Sequence, residues 1–258
     1  MTFVTDHNLE RLNSIKCVIA IPSYNEVTSL PILIKKLSLV LNSEDAVLIL
    51  DDSPLVNQGK IQSLVTNSFS DSKGMLLFLN SDKKLGRGSA VRRGMQFCKK
   101  NFPNVKYFIE CDADGSHQVL DIIKLRDHEN KEDLLIGSRY LPESQIIGWS
   151  LQRKIFSRLL NFIIPKLLQI PVKDITNGLR RYSPRTIDYI LKINPINNGF
   201  TYLSEQILIV HAKRLSILEL PIIFIERVSG KSTVTYKEIV NSIKGILLLL
   251  FFKKRLHA

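Results

Sequence analysis

VKYFIECDADGSH, residues 105–117, runs from an apolar stretch of strand length into two aspartates separated by one alanine. Tyr107, Phe108 and Ile109 read as the middle of a buried strand. Asp112 and Asp114 follow at its carboxyl end, where side chains two apart in extended chain point the same way. Two carboxylates aimed at one point repel each other and resist ionisation unless a cation sits between them. A hard divalent ion, Mg²⁺ or Mn²⁺, meets that need, because it takes oxygen ligands and leaves positions open for substrate phosphates. The local alternative is an Asx-turn plus an N-cap for a helix beginning at Val119.

Outward from this strand the same unit repeats. CVIAIPSY (17–24) precedes a helix from Thr28, AVLILDD (46–52) a polar helix, MLLFLN (75–80) a helix from Arg87, and DLLIGSRY (133–140) makes a fifth run. Runs apolar on both faces and separated by helices predict an α/β fold, a mostly parallel sheet covered on both sides. Ligands of such sheets bind beyond the carboxyl ends of the strands. Ser23, Tyr24, Asn25 and Glu26 stand at the end of the first run, Asp51 and Asp52 at the second, Arg139 at the fifth. Each alone is an ordinary turn or capping residue, but together they point to one shared site. Beyond Tyr140 the pattern changes to a basic amphipathic helix over about 149–169, a turn-rich stretch DITNGLRRYS, a helix over about 203–213, one strand ILELPIIFIERV and a last helix from about Tyr236.

The chain has 258 residues, is 45% hydrophobic and carries a formal net charge of +12. That composition is globular, and the charge favours anionic partners: phosphorylated small molecules, a membrane surface or nucleic acid. Nucleic acid is disfavoured, because the basic residues are scattered and none of the usual binding signatures appears. Residues 1–15 include Asp6 and Glu10 and have no apolar signal-peptide core, which predicts a cytosolic chain with a short N-terminal extension. Cys17, Cys98 and Cys111 lack CxxC spacing and lie in apolar stretches, as buried reduced thiols do.

Read in order, IPSYNE (21–26), LDDSP (50–54), KKLGRGSAVRRGM (83–95), CDADGSH (111–117), GSRY (137–140), GWSLQRKIFSR (148–158), DITNGLRRY (174–182), LPIIFIERVSGKS (220–232) and EIVNSIKGILLL (238–249) carry a resemblance. The chain resembles the family-2 inverting glycosyltransferases of the GT-A fold, and within them the polyprenyl-phosphate glycosyltransferases of the dolichyl-phosphate mannose synthase type. The match runs from Lys16 to Phe252. It implies a GT-A domain over 16–233 and that Asp112 and Asp114 hold Mg²⁺ or Mn²⁺ and, through it, a nucleotide-sugar pyrophosphate. It further implies that Pro22, Tyr24, Glu26, Asp52 and Ala113 line the donor pocket with Asn25, and that Arg227 neutralises the leaving nucleoside diphosphate. Arg139, Arg153 and Ser157 would bind the acceptor phosphate, with Glu205 in a supporting role. Two departures stand out: Gly230-Lys231-Ser232-Thr233 displaces the family's lysine by two and puts Thr233 in its place, and Ser53 to Gln58 replaces the family's Ser-Pro-Asp-Gly-Thr.

The residues support parts of this independently. A lipid phosphate has a second pKa of about 6 and is already a nucleophile, so the protein must position it, a task suited to arginine's planar fork. Arg153 and Ser157, four apart, share one helix face; Arg158 lies round that helix and reads as a solvated or packing residue. Arg139 has a salt bridge to a neighbouring acid as its alternative role and Asn25-Glu26 a helix cap, while His117, three residues after Asp114, either supports the metal site or makes a turn hydrogen bond. LGRGSA lacks the third glycine of a dinucleotide fingerprint and reads as a tight turn into a helix, with free amides near the donor or as turn chemistry alone. GILLLLFF (245–252), roughly 12 Å of helix, is too short to span a bilayer core of about 30 Å. Residues 246–252 are apolar all round and flanked by Lys244 and by Lys253-Lys254-Arg255, so the helix in 234–258 either packs into the core or a partner, or lies in the membrane interface.

The expected activity is therefore transfer of one sugar, mannose from GDP-mannose as the specific choice, to a polyprenyl or dolichyl phosphate at the cytosolic membrane face. A small membrane partner subunit is the companion implied by relatives of the type without transmembrane helices. Rivals are a UDP-sugar donor or a saccharide acceptor. From another class comes a non-catalytic nucleotide-sugar-binding or membrane-docking subunit.

Overall fold

The computed structural model describes residues 9–129, 131–196, 201–226 and 236–257. In chain order the elements are α1 (Leu9–Ser14), β1 (Cys17–Ser23), α2 (Ser29–Ser38), β2 (Asp45–Asp51), α3 (Leu55–Ser68), β3 (Met75–Phe78), α4 (Arg87–Asn101), β4 (Tyr107–Glu110) and α5 (Val119–Asp127). The second half contains β5 (Leu134–Ser138), β6 (Gln145–Ile147), α6 (Leu151–Leu168), β7 (Arg180–Tyr182), α7 (Pro184–Lys192), α8 (Tyr202–Ala212), β8 (Ile217–Pro221), β9 (Ile223–Ile225) and α9 (Tyr236–His257).

Seven strands form one sheet in the order β3-β2-β1-β4-β7-β5-β8, parallel except for β7, which runs antiparallel to both neighbours. Alternation along the strands explains the two cores. Val18 and Ala20 of β1, with Leu48 and Leu50 of β2 and Phe108 of β4, pack under α4, α7 and α8, while Cys17, Ile19 and Ile21, with Val47, Ile49 and Ile109, pack under α2, α3 and α5. Each such fully buried aliphatic side chain contributes about 1.5–3 kcal/mol, so the apolar runs commit the strands to the interior.

From β1 the chain builds outward through β2 to β3, then returns to place β4 on the other side of β1. The strand order reverses there, and the crevice beyond the carboxyl ends of β1 and β4 is where such a sheet binds ligands. Pro22 to Glu26 stand on one side of it and Asp112 to Asp114 on the other.

The structure departs from the sequence expectations in four places. The turn-rich stretch contains β7 in mid-sheet, with Arg180 and Arg181 fully buried. Carbonyl oxygens receive their N–H groups: Asn177, Leu203 and Ile175 accept from Arg180, and Leu125 and His128 accept from Arg181 Nη1, whose guanidinium also lies over Tyr107. The single late strand is two: β8 closes the main sheet, and after Ile222 β9 pairs with the unanticipated β6. Helix α7, also unanticipated, starts from a Ser183 cap that accepts from Thr186 N, followed by Pro184. Residues 1–15, expected to be a mere extension, contain helix α1, and Leu12 of that helix and Ile15 just after it are buried in the core.

All three cysteines are buried and unpaired. Burial pushes their thiols up, Cys98 to about 12, so none is a ready nucleophile. In α9, Leu249 and Phe252 join the core, the first of the two alternatives expected of this segment, while Leu247, Leu248 and Phe251 stay exposed. Among the described residues no helix is long and apolar enough to cross a membrane.

Candidate active site

A cleft of about 370 Å³ opens at the β1/β4 crevice, lined by Pro22, Tyr24, Glu26, Asp52, Asp112, Ala113 and Asp114 together with Lys84 and Arg87. The residues expected for donor binding are thus brought together, apart from Asn25, which does not line the cleft, and Arg227, which lies outside the described residues.

Several of them also serve the frame. Tyr24 is exposed, with Lys84 Nζ 3.9 Å from its ring centroid. Asn25 adopts φ 60°, which an asparagine tolerates, and donates its N–H to Ser53 Oγ at 2.8 Å. Glu26 lines the cleft and accepts from the Ser29 hydroxyl, but neither it nor Asn25 caps α2, whose N-cap position is Thr28. Asp52 is buried, accepts Leu85 N at 3.2 Å and pairs with Arg93, and so pins the loop before α4 against the end of β2.

Asp112 and Asp114 differ in how they are held. Asp114 Oδ1 accepts Ser116 N at 3.0 Å in an Asx-turn, but neither aspartate caps α5, whose N-cap is Gln118. Asp112 Oδ1 is engaged by Arg87 Nη1, while Oδ2 lies 3.8 Å from His117 Nε2. Burial opposes ionisation of Asp112, but the charge and hydrogen bond of Arg87, with the charge of Arg139, outweigh it and hold the carboxyl below its ordinary value. His117 is fully committed to the turn: Nδ1 accepts Asp112 N at 3.0 Å and Nε2 meets Asn177 Oδ1 at 3.0 Å.

No cluster of three or more His, Cys, Asp or Glu suited to a metal exists among the described residues. The pair nonetheless fits a Mg²⁺- or Mn²⁺-like ion, which binds through one or two carboxylates and completes its shell with water and phosphate. Both aspartates face the cleft, and each keeps its Oδ2 clear of the hydrogen bonds that hold its Oδ1.

Arg87 is the principal residue the sequence reading missed. Its Nε and Nη2 bond Glu110 Oε1 at 3.0 and 2.9 Å, its Nε meets Tyr202 Oη at 2.7 Å, and its Nη1 reaches Asp112. Glu110 is fully buried and also accepts from Tyr202 and Tyr182. The available signal was positional: Arg87 opens α4, and a cation at a helix N-terminus opposes the helix dipole unless acids compensate it. Gly178 makes room, since a Cβ there would lie 2.2 Å from Arg87 Nη2.

The expected acceptor residues form a second cluster around Trp149. Arg139 lies over its ring at 5.3 Å and Arg153 at 4.0 Å. For Arg139 the salt-bridge alternative is realised: Nε and Nη2 each meet Asp174 at 2.8 Å, and Nη2 also meets Thr176 Oγ1 at 2.8 Å. Burial works against the Arg139 charge, but Asp174 prevails and raises its pKa. No hydrogen bond involves its Nη1 among the described residues. Arg153 Nη1 bonds Glu226 Oε1 at 2.8 Å, and Ser157 Oγ accepts from Tyr140 Oη at 2.6 Å. Glu205 stands apart, buried, accepting Ile196 N at 3.1 and 3.2 Å.

The model of the family described as glycosyl transferase family 2 matches residues 18–189, the span that contains the strand-end acids and both clusters. The chain belongs to glycosyl transferase family 2. Among curated relatives, this glycosyltransferase is 29% identical over 212 residues to an undecaprenyl-phosphate mannosyltransferase of Micrococcus luteus, covering 82% of this chain and 84% of the relative. It is 27% identical over 218 residues to a polyprenol monophosphomannose synthase of Mycolicibacterium smegmatis, covering 84% and 80%. Its fold matches glucosyl-3-phosphoglycerate synthase from Mycobacterium tuberculosis in complex with Mn²⁺, UDP and glucosyl-3-phosphoglycerate, with TM-score 0.60 at 14% identity over 96% of this chain and 83% of that one. The glycosyltransferase thus has the expected GT-A fold.

Proposed function

We propose that this glycosyltransferase moves a single mannose from GDP-mannose to a polyprenyl phosphate, dolichyl phosphate included, in a Mg²⁺- or Mn²⁺-dependent, inverting reaction at the cytosolic face of a membrane. The observation that carries the reading is the pairing of two clusters of opposite character: Asp112 and Asp114 in the switch-point cleft, and Arg139 and Arg153 over one indole ring. The clusters interact, since Arg139 is among the charges that lower the Asp112 pKa. Acids suit a cation-bridged pyrophosphate and arginines suit a phosphate acceptor, whereas a neutral saccharide acceptor would need neither arginine. The two named relatives, both acting on polyprenyl phosphates, support the choice of acceptor and sugar.

In this reading Tyr24 offers a face for the base, Glu26 and Asp52 offer acceptor oxygens to the nucleoside, and Pro22 and Ala113 complete the walls. Asp112 and Asp114 hold the cation, which when bound neutralises charge on the departing diphosphate. Arg227 assists the same neutralisation. Arg139 Nη1, Arg153 and Ser157 orient the acceptor phosphate for attack on the anomeric carbon from the side opposite the leaving group. The new bond forms from a phosphate oxygen as the bond to the nucleoside diphosphate breaks. No general base is required, because the acceptor arrives ionised. Residues 16–233 form the catalytic domain and 234–258 the membrane-facing helix, with a small membrane protein as a candidate partner.

The test is transfer of labelled mannose from GDP-mannose to polyprenyl phosphate in detergent, with Mn²⁺ and with EDTA, beside a UDP-glucose control. Lipid-linked mannose that vanishes with EDTA is the expected outcome. Product from UDP-glucose alone would reassign the donor, and product insensitive to EDTA would remove the metal.

A further inference from the structure

A cavity of about 720 Å³ lies away from the donor cleft and shares no lining residue with it. Helix α6, the segment 169–173, the end of α8 and β8 enclose it. Its floor is buried and largely apolar, built from Asn161, Pro165, Ile170 and Val172, and its rim carries the exposed cations Arg158, Lys166 and Lys173. None of these three forms an ion pair among the described residues. The acid at the wall, Glu219, is already occupied: its two oxygens accept Lys173 N at 2.7 Å and Asp174 N at 2.8 Å.

We infer that this cavity binds the phosphate headgroup of an anionic membrane phospholipid and thereby sets the depth and rotation of α6 at the membrane. The inference rests on the membrane-facing part of the proposed function. Charge complementarity identifies the occupant: unpaired cations at the rim above an apolar floor suit an amphiphilic anion, in a volume typical of small-molecule sites. The setting supplies the membrane. Leu151, Ile155, Leu159 and Phe162, at helical spacing along α6, are all exposed, and Phe162 belongs both to this row and to the cavity wall. Lys166 Nζ sits 3.7 Å from the Phe162 ring centroid, a cation placed at the boundary between greasy row and cavity. Helix α9 packs beside α6 and adds exposed Leu247, Leu248 and Phe251, with Lys253 bonded to Gln169 on the cavity wall.

The consequence concerns presentation of the acceptor. Tyr140 lines the cavity and donates to Ser157, so a single ring separates the lipid site from the acceptor cluster. With the exposed row in the headgroup layer and a phospholipid phosphate gripped at the rim, Arg153 and Ser157 on another face of α6 are held at the level where a polyprenyl phosphate carries its own phosphate.

The experiment is co-sedimentation of the full chain with phosphatidylcholine vesicles, with and without phosphatidylglycerol, comparing wild type, R158Q/K166Q/K173Q and the exposed-lysine control K36Q/K60Q/K106Q. Wild type and control should gain binding with phosphatidylglycerol, and the rim variant should lose roughly a hundredfold of it, the loss expected for three cations near an anionic surface. Equal losses in both variants would overturn the site in favour of diffuse charge attraction, as would an undiminished rim variant. Mannosyl transfer in detergent is measured on the same preparations: its absence in wild type would count against the proposed function, and its retention in the rim variant shows that any vesicle defect belongs to the lipid site.

Discussion

Arg139 and Arg153 lie over the same indole ring, that of Trp149, with their guanidinium carbons 5.3 and 4.0 Å from its centroid. Two like charges converge on one aromatic because each has its own acid, Asp174 for Arg139 and Glu226 for Arg153. The acids differ in consequence. Asp174 is fully buried and Glu226 partly exposed, so Arg139 is fixed while Arg153 can exchange its carboxylate for an incoming phosphate.

Replacement of Arg153 by alanine should therefore weaken the acceptor and spare the donor. A charge-assisted bond to phosphate is worth about 1.5–3 kcal/mol, so the apparent KM for polyprenyl phosphate should rise roughly 10- to 100-fold with the KM for nucleotide sugar unchanged. Arg153→Lys should recover only part of this, because an ammonium cannot make the bidentate contact. Equal rises in both KM values would place Arg153 outside the acceptor site.

Replacement of Asp174 by asparagine should act on stability first. Removing one partner of a buried pair costs about 3–5 kcal/mol, read as a lower denaturation midpoint with unchanged slope. Burial alone would raise the Asp174 pKa, but Arg139 and the backbone N–H groups of Arg139 and Thr176 bring it below the ordinary carboxylate value. A depressed folded-state pKa means that this contribution is complete above about pH 4 and is lost as pH falls through the folded value. Wild type should lose stability over that acid range more steeply than the variant, and matching acid profiles would refute the assignment.

The alternation of apolar runs and helices made the parallel half of the sheet legible, and the acids at the strand ends marked the cleft by their positions in the chain alone. What escaped follows a common physical reason. Strand β7 reads as a loop because the interior placing of Arg180 and Arg181 depends on carbonyl oxygens of segments distant in the chain, Leu203 for Arg180 and Leu125 and His128 for Arg181. Asp174, Glu110 and Trp149 carry no local signal, since their importance lies in partners far along the chain. Pro184 after Ser183, by contrast, is a readable helix start.

Asp114→Asn separates an enzyme from a docking protein of the same fold. Asp114 is half-buried, and the one side-chain hydrogen bond it makes among the described residues, from Ser116 N, can also be made by the asparagine side-chain oxygen. The thermal midpoint should stay within about 2 °C of wild type, a shift corresponding to less than about 0.5 kcal/mol for a domain of this size. Transfer should fall at least a hundredfold, and Mn²⁺ binding followed by electron paramagnetic resonance should weaken in parallel. Unchanged Mn²⁺ binding would show that the pair is not the cation site.

Gly178→Ala tests the Arg87 network from outside the cleft. The added methyl would meet the Arg87 guanidinium at 2.2 Å, with Cζ at 2.9 Å and Nη1 at 3.1 Å. An exposed arginine would swing away, but this one is anchored to Glu110, Asp112 and Tyr202, so one end of the network must yield. If Arg87 moves, Glu110 remains as a fully buried carboxylate with only tyrosine hydroxyls for partners, a loss of about 1–3 kcal/mol in stability. Asp112 loses its largest opposing charge at the same time, so Mn²⁺ affinity should change along with stability. A double variant, Arg87→Leu with Gly178→Ala, should show less than the sum of the single effects, because the methyl no longer meets a guanidinium. Strict additivity would mean that Gly178 matters for its backbone alone and that the two residues are not coupled.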